Sequence, residues 1–356
     1  MNKQQQIKNK KKINIGAYST CLIILFLSMG YALLSEELSV EATGIIGSPP
    51  GEKFSDVILS NEEGMLNSGD GLYEYNSKYY FSGVDVNNYI EFNDEIWRIV
   101  SIEEDGSVKI VKDDFVEINK IAEYETTSPF WEKYYNNYFK EHHKNQIIAQ
   151  GKIPFDIRGR RPIDTTLTDR YCINTSNGCH AYDKGTFSDL IVDDESVMKT
   201  YLEQVYFPNM SKKAQEQVQN YTLNIGIIET NKKIDVVLSS EQTNTIISFI
   251  GLLNISDYVY ATHDTTCRNG FDKENCGYEN WLTVPNYQYY LLNGKKTSGN
   301  AQVWTVYTNG KITSQDASNS FYLRPVVVLN KNITATGSGN KTNNDMYVLG
   351  DILKWV

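Results

Sequence analysis

The chain has 356 residues, is 40% hydrophobic and carries a net charge of −10, so it can bury one large core or two ordinary ones. The charge is uneven: the first 35 residues hold five lysines (Lys3, Lys8, Lys10, Lys11, Lys12) and no acid, which leaves −15 on residues 36–356. A body this acidic repels phosphate backbones and excludes general nucleic-acid binding.

After the basic segment 1–12 comes Ile13–Ser35, INIGAYSTCLIILFLSMGYALLS, which is free of charge over 23 residues. That length crosses a bilayer as a tilted helix, and the lysine flank keeps the N-terminus cytoplasmic and sends the body outside. A cleaved signal peptide fits the same stretch. Its most apolar part, Cys21–Met29, is short, and Gly30–Ala32 offers small residues for cleavage after Ala32. Both readings stay open, and both export the body. Cys21, at the start of the apolar run, reads as a passenger. Residues 36–53, closing with the turn-rich GSPPGE, form a linker.

The body, residues 54–356, reads as α+β. Glu95–Asp113 places two β-rich runs around Asp105-Gly106, a hairpin pattern. The insertion around residues 115–194 shows no sustained period from Gln150 to Leu190, although Phe130–His142 carries a helical stripe (Trp131, Tyr134, Tyr135, Tyr138, Phe139). Its basic cluster RGRRP, Arg158–Pro162, reads as a solvated loop. In the next helix Met198, Tyr201, Leu202, Val205 and Tyr206 make a buried stripe, with Asp193 or Asp194 as cap and Pro208 as stop. Tyr221–Ile228 alternates as a strand. Val303–Thr313 makes a second hairpin around Asn309-Gly310, and Arg324–Asn330 is a continuous apolar run suited to a strand covered on both faces.

Two resemblances follow from these stretches. LSMGYALLSEELSVEATGIIG resembles the export segments of exported proteins from low-GC Gram-positive bacteria, of the camelysin and biofilm-matrix-fibre type. In the body, Tyr79–Val111, Gly251–Thr262, Asn280–Thr283 (NWLT), Val303–Ile312 and Leu323–Leu329 (LRPVVVL) stand in the same order as in an uncharacterised family of exported Gram-positive surface proteins. The closing W…G…RPV arrangement is more distantly similar to C-type-lectin-like and sulfatase-modifying-factor-like domains. That likeness implies a twisted antiparallel sheet with hairpins, flanking helices and long disulfide-stapled loops, preceded here by the one N-terminal apolar helix.

Export gives the cysteines a meaning. Cys172 and Cys179 (CINTSNGC) and Cys267 and Cys276 (CRNGFDKENC) are paired at short range in polar loops, and outside the cytoplasm such pairs read as local disulfides. Their C-x6-C and C-x8-C spacings fit a zinc site poorly, even with His180 in reserve. The four histidines (His142, His143, His180, His263) belong to no hydrolase elbow, metalloprotease helix, P-loop or dinucleotide motif. His263-Asp264 precedes Cys267, but a disulfide sulfur is no nucleophile. The expected chain is therefore non-catalytic and without cofactor. Calcium stays open at acidic pairs such as Asp113-Asp114, which do not fit an EF-hand loop.

The candidate binding surface is the stapled loop: His263, Asp264, Arg268 and Asp272 near Asn280 and Trp281, held by the disulfide. The competing reading makes Trp281 a core residue with the loop as its cover. An extracellular glycan, wall polymer or protein ligand is the expected partner, beside the membrane itself if the anchor is retained. A structural component of the envelope or an extracellular assembly is the alternative, and a secreted enzyme the third. The closing DILKWV carries no LPxTG-like sorting signal, which disfavours sortase-linked pili.

Overall fold

Eight residues, Glu95–Ile102, are rich in β-branched and aromatic side chains as a strand should be, and this strand organises the fold. In the computed structural model the described residues are 51–62, 69–116, 152–154, 185–187, 190–192, 196–295, 302–317 and 319–353, all but Gly51 within a unit running from Glu52 to Val356. The apolar stretch Ile13–Ser35, Cys172–Cys179, Arg158–Pro162 and the Phe130–His142 stripe lie outside them.

The chain is mixed α+β and mostly sheet. It begins with α1 (Phe54–Asn61) and strands β1 (Gly71–Tyr75), β2 (Lys78–Ser82), β3 (Tyr89–Phe92), β4 (Glu95–Ile102) and β5 (Val108–Lys112). Short pairs β6 (Ile153–Pro154), β7 (Gly185–Phe187) and β8 (Leu190–Val192) precede α2 (Val197–Tyr201) and α3 (Lys212–Gln217). Then come β9 (Tyr221–Asn224), α4 (Ile234–Glu241), β10 (Thr245–Ser248), β11 (Ile250–Gly251), α5 (Ile255–Tyr260) and β12 (Tyr289–Lys295). The chain closes with β13 (Gln302–Val306), β14 (Ile312–Asp316), β15 (Ser320–Phe321), β16 (Val326–Leu329), β17 (Ile333–Thr336) and β18 (Tyr347–Ile352).

The large sheet has nine strands in the order β11-β16-β5-β4-β3-β18-β17, with the β1–β2 hairpin joined through β2 to β4. β4 is long enough to pair β3 along its first half and β2 along its second. The Asp105-Gly106 turn links β4 to β5 with Gly106 at φ 83°, a conformation glycine adopts without strain. β16 lies between β5 and β11 with all four residues buried, as its continuous apolar run requires.

Four expectations need correction. The sheet is not wholly antiparallel, because β18 runs parallel to β3. The pattern of Asn280–Thr283, the Asn309-Gly310 hairpin and the Val326–Leu329 strand also suggests one shared sheet core, but β13 and β14 pair with β12 in a separate three-stranded sheet, and Asn280–Thr283 joins neither as a strand. The Tyr221–Ile228 run is a strand only to Asn224. Beyond it the chain turns over the end of α4, where the Gly226 N–H bonds the Glu241 carbonyl and a Cβ on Gly226 would meet the Ser240 carbonyl at 1.9 Å. The cap of the Met198–Tyr206 helix is Ser196, whose hydroxyl accepts from the Lys199 N–H at 3.0 Å, rather than Asp193 or Asp194. The stripe itself buries Met198, Tyr201, Leu202 and Val205, with Tyr206 partly buried.

Several charged groups inside this body are held by ion pairs or hydrogen bonds. Lys109 on β5 places Nζ 3.0 Å from Asp257 Oδ1 and 3.6 Å from Glu103 Oε1. Burial alone would raise the Glu103 carboxyl, but Lys109 and Lys78 together bring it down to about 2. Glu241, bonded by the Ser256 N–H and hydroxyl, is pushed up to about 7 by its burial. Arg324 is 1% exposed and donates to the carbonyls of Lys112 and Leu282.

Candidate functional site

The stapled loop starts from helix α5. Asn254 and Asp257 form a reciprocal capping box at its N-terminus, and beyond Ala261 a bridge between Thr262 and Asn280 closes the loop at its base. Asp264 accepts from the Thr266 N–H at 2.8 Å, a local turn that leads into the 3₁₀ turn Cys267–Asn269. Cys267 and Cys276 are fully buried and disulfide-bonded, with Cα atoms 5.3 Å apart. Two contacts then fix the loop against the small sheet. Phe271 packs edge-on against Trp304 at 4.9 Å, and Gly277 lies against Gly310 so closely that a Cβ on Gly277 would come 2.4 Å from Gly310 Cα.

The structure separates the six candidate residues into two groups. Asn280 and Trp281 are core residues, 4% and 5% exposed. The Asn280 side-chain amide donates to the Tyr258 carbonyl at 2.9 Å, and its oxygen accepts from the Leu282 N–H at 2.9 Å. The Trp281 indole donates to the Phe81 carbonyl at 2.7 Å, and its ring supports the Arg98 guanidinium at 4.4 Å. Burial lowers the Arg98 pKa to about 10. These two residues hold the loop in place and are not free to contact a ligand.

His263, Asp264, Arg268 and Asp272 are half-buried at the surface. The Arg268 guanidinium lies 4.2 Å above the Tyr75 ring and donates to the Tyr75 hydroxyl, and Tyr75 in turn stacks on Tyr260 at 4.7 Å and on Tyr73 at 6.2 Å. His263 Nε2 is 3.1 Å from Glu279 Oε2, and Nδ1 is 3.8 Å from Asp70 Oδ1, too far for a hydrogen bond. Asp70 itself is fixed by the N–H groups of Val84 and Asp85. Asp272 accepts from the Asn231 N–H at 3.3 Å through one oxygen only.

Among the described residues six buried side-chain polar atoms lack a hydrogen-bond partner, and three of them are on this loop: His263 Nδ1, Arg268 Nε and Asp272 Oδ1. Such atoms are rare and costly in folded proteins, and they concentrate where something else completes the bond. The residues that sequence reasoning missed are Tyr73 and Tyr75. Their i, i+2 spacing in GLYEY was the available signal, since it sets both rings on one face of β1. Tyr278, 67% exposed, adds an aromatic on the same loop. Among the described residues no group of three or more His, Cys, Asp or Glu is arranged to hold a metal ion, and no helix is long and apolar enough to cross a membrane.

Residues 164–331, just under half of the chain, match the model of a domain of unknown function, DUF6273. The match takes in α2 to α5, the stapled loop and β16, and leaves out β1 to β5. No curated protein and no solved structure matches the chain. The chain is thus similar over this segment to a domain to which no activity is attached.

Proposed function

We propose that this is an exported, non-catalytic binding protein that engages an extracellular glycan or wall polymer through the stapled loop and the β1 tyrosines. The observation that carries the reading is the Arg268–Tyr75–Tyr73 stack, bordered by buried polar atoms on His263, Arg268 and Asp272 that have no partner. Planar faces flanked by polar side chains with unmade hydrogen bonds suit sugar rings, which present C–H faces and hydroxyls together. A disulfide-pinned loop keeps those positions ordered before the ligand arrives, which lowers the entropic cost of binding. The lysine-then-apolar N-terminus supports export, and the Cys267–Cys276 bridge fits an oxidising compartment. The sheet with hairpins and a stapled loop is compatible with the C-type-lectin-like resemblance.

A screen of the full-length chain against glycans and wall polymers tests this reading. Retention by at least one polymer, lost on Arg268→Ala, is expected. Retention by none, or equal retention of the variant, would remove the proposal.

A further inference from the structure

The other three unpartnered atoms lie on different elements. Glu95 and Trp97 point to one face of β4, and Trp97 pairs across with Lys112 on β5. α2 continues into a π-helical turn, Leu202–Tyr206, and such turns are rare and recur at functional sites. Val205 and Tyr206 from this turn and Glu95 and Lys112 from the strands line a cavity of about 590 Å³, the size of a small-molecule site.

The lining decides what fits. Lys112 Nζ is 2.6 Å from Glu95 Oε1 and Lys341 Nζ is 3.5 Å from Asp113 Oδ2, so among the described residues both lysines of the wall face carboxylates and an anionic ligand finds no unpaired cation. Glu95 Oε2 and the Tyr206 hydroxyl are buried without a hydrogen bond of standard geometry. Burial and the nearby Glu95 carboxylate hold Tyr206 above the usual tyrosine range, so it stays a phenol that can donate and accept. Phe115 and Met210 supply apolar wall.

We propose that this cavity binds a neutral polyhydroxylated ring, a sugar of one or two residues. One ring hydroxyl donates to Glu95 Oε2, a second exchanges a hydrogen bond with Tyr206, and the C–H face of the ring packs on Phe115 and Met210. The site is separate from the stapled-loop ridge and stands without it.

The test titrates the full-length chain with glucose, N-acetylglucosamine, cellobiose and chitobiose by calorimetry, beside Tyr206→Phe, Glu95→Gln and Arg268→Ala. Saturable binding by at least one sugar is expected. Affinity should fall about tenfold or more in Tyr206→Phe and Glu95→Gln and hold in Arg268→Ala. Two results would each overturn the proposal: no saturation at millimolar sugar, or unchanged affinity in both cavity variants.

Discussion

Two tryptophans show how differently this molecule treats polar groups in its two kinds of region. Trp281 is buried against the large sheet, its indole bonded to the Phe81 carbonyl and its ring under Arg98, and the neighbouring Asn280 is satisfied on both ends of its amide. Trp97, equally buried on β4, has an indole N–H without a partner, as do Glu95 Oε2 and Tyr206 beside it and three atoms of the stapled loop. The lesson is about cost: a satisfied buried polar group specifies the fold, whereas an unsatisfied one weakens it and calls for a reason. Substitutions can sharpen or break that contrast.

The largest effect belongs to the satisfied core. Val327, fully buried between Ile110 and Ile250, tolerates no charge, and Val327→Asp should cost on the order of 5 kcal/mol or prevent folding. A soluble Val327→Asp protein with an unchanged melting temperature would contradict the sheet assignment. Lys109→Met strands the carboxylate of Asp257 inside the fold and should cost about 3–5 kcal/mol by denaturant titration.

The next effect is pH-dependent. Glu241 would titrate near 4.5 in the unfolded chain and titrates near 7 in the fold, so its contribution is full below pH 4.5 and is lost as pH rises through 7. Glu103 has the opposite sign: its contribution is present above pH 4.5 and lost as pH falls toward 2. Melting temperature should therefore decline from pH 5 to pH 8, and Glu241→Gln should flatten that decline. An unaltered slope in the variant would reassign the effect. Reducing Cys267–Cys276 should cost about 2.5 kcal/mol, read as a drop in denaturation midpoint. Peptide mapping without reductant should recover that linkage, and the same experiment reports on Cys172 and Cys179.

Much of the fold was legible because its signals are local. The Asp105-Gly106 and Asn309-Gly310 turns and the apolar run of β16 each follow from a few adjacent residues. What was not legible depends on distant pairing. Nothing in Val303–Thr313 says that its partner is β12 instead of β16, and nothing in Tyr221–Ile228 announces that α4 will intercept the strand after Asn224. The site divides the same way. The loop and its disulfide could be read from cysteine spacing, but Tyr75, which carries Arg268, comes from 193 residues earlier in the chain. The cavity under the π-helical turn had no sequence signal, since a π turn differs from an α turn only in its hydrogen-bond register.

The smallest expected change in stability carries the most functional weight. Arg268 interacts with Tyr75 at the surface, so Arg268→Ala should cost less than about 1 kcal/mol. The decisive measurement is a binding isotherm of the full-length chain on purified cell-wall sacculi, wild type beside Arg268→Ala and Asp272→Ala, with melting temperatures taken on the same samples. Saturable wild-type binding that weakens in both variants at unchanged melting temperature is the predicted result. Equal binding by all three proteins, or none by the wild type, would reduce the stapled loop to a structural cover over Trp281.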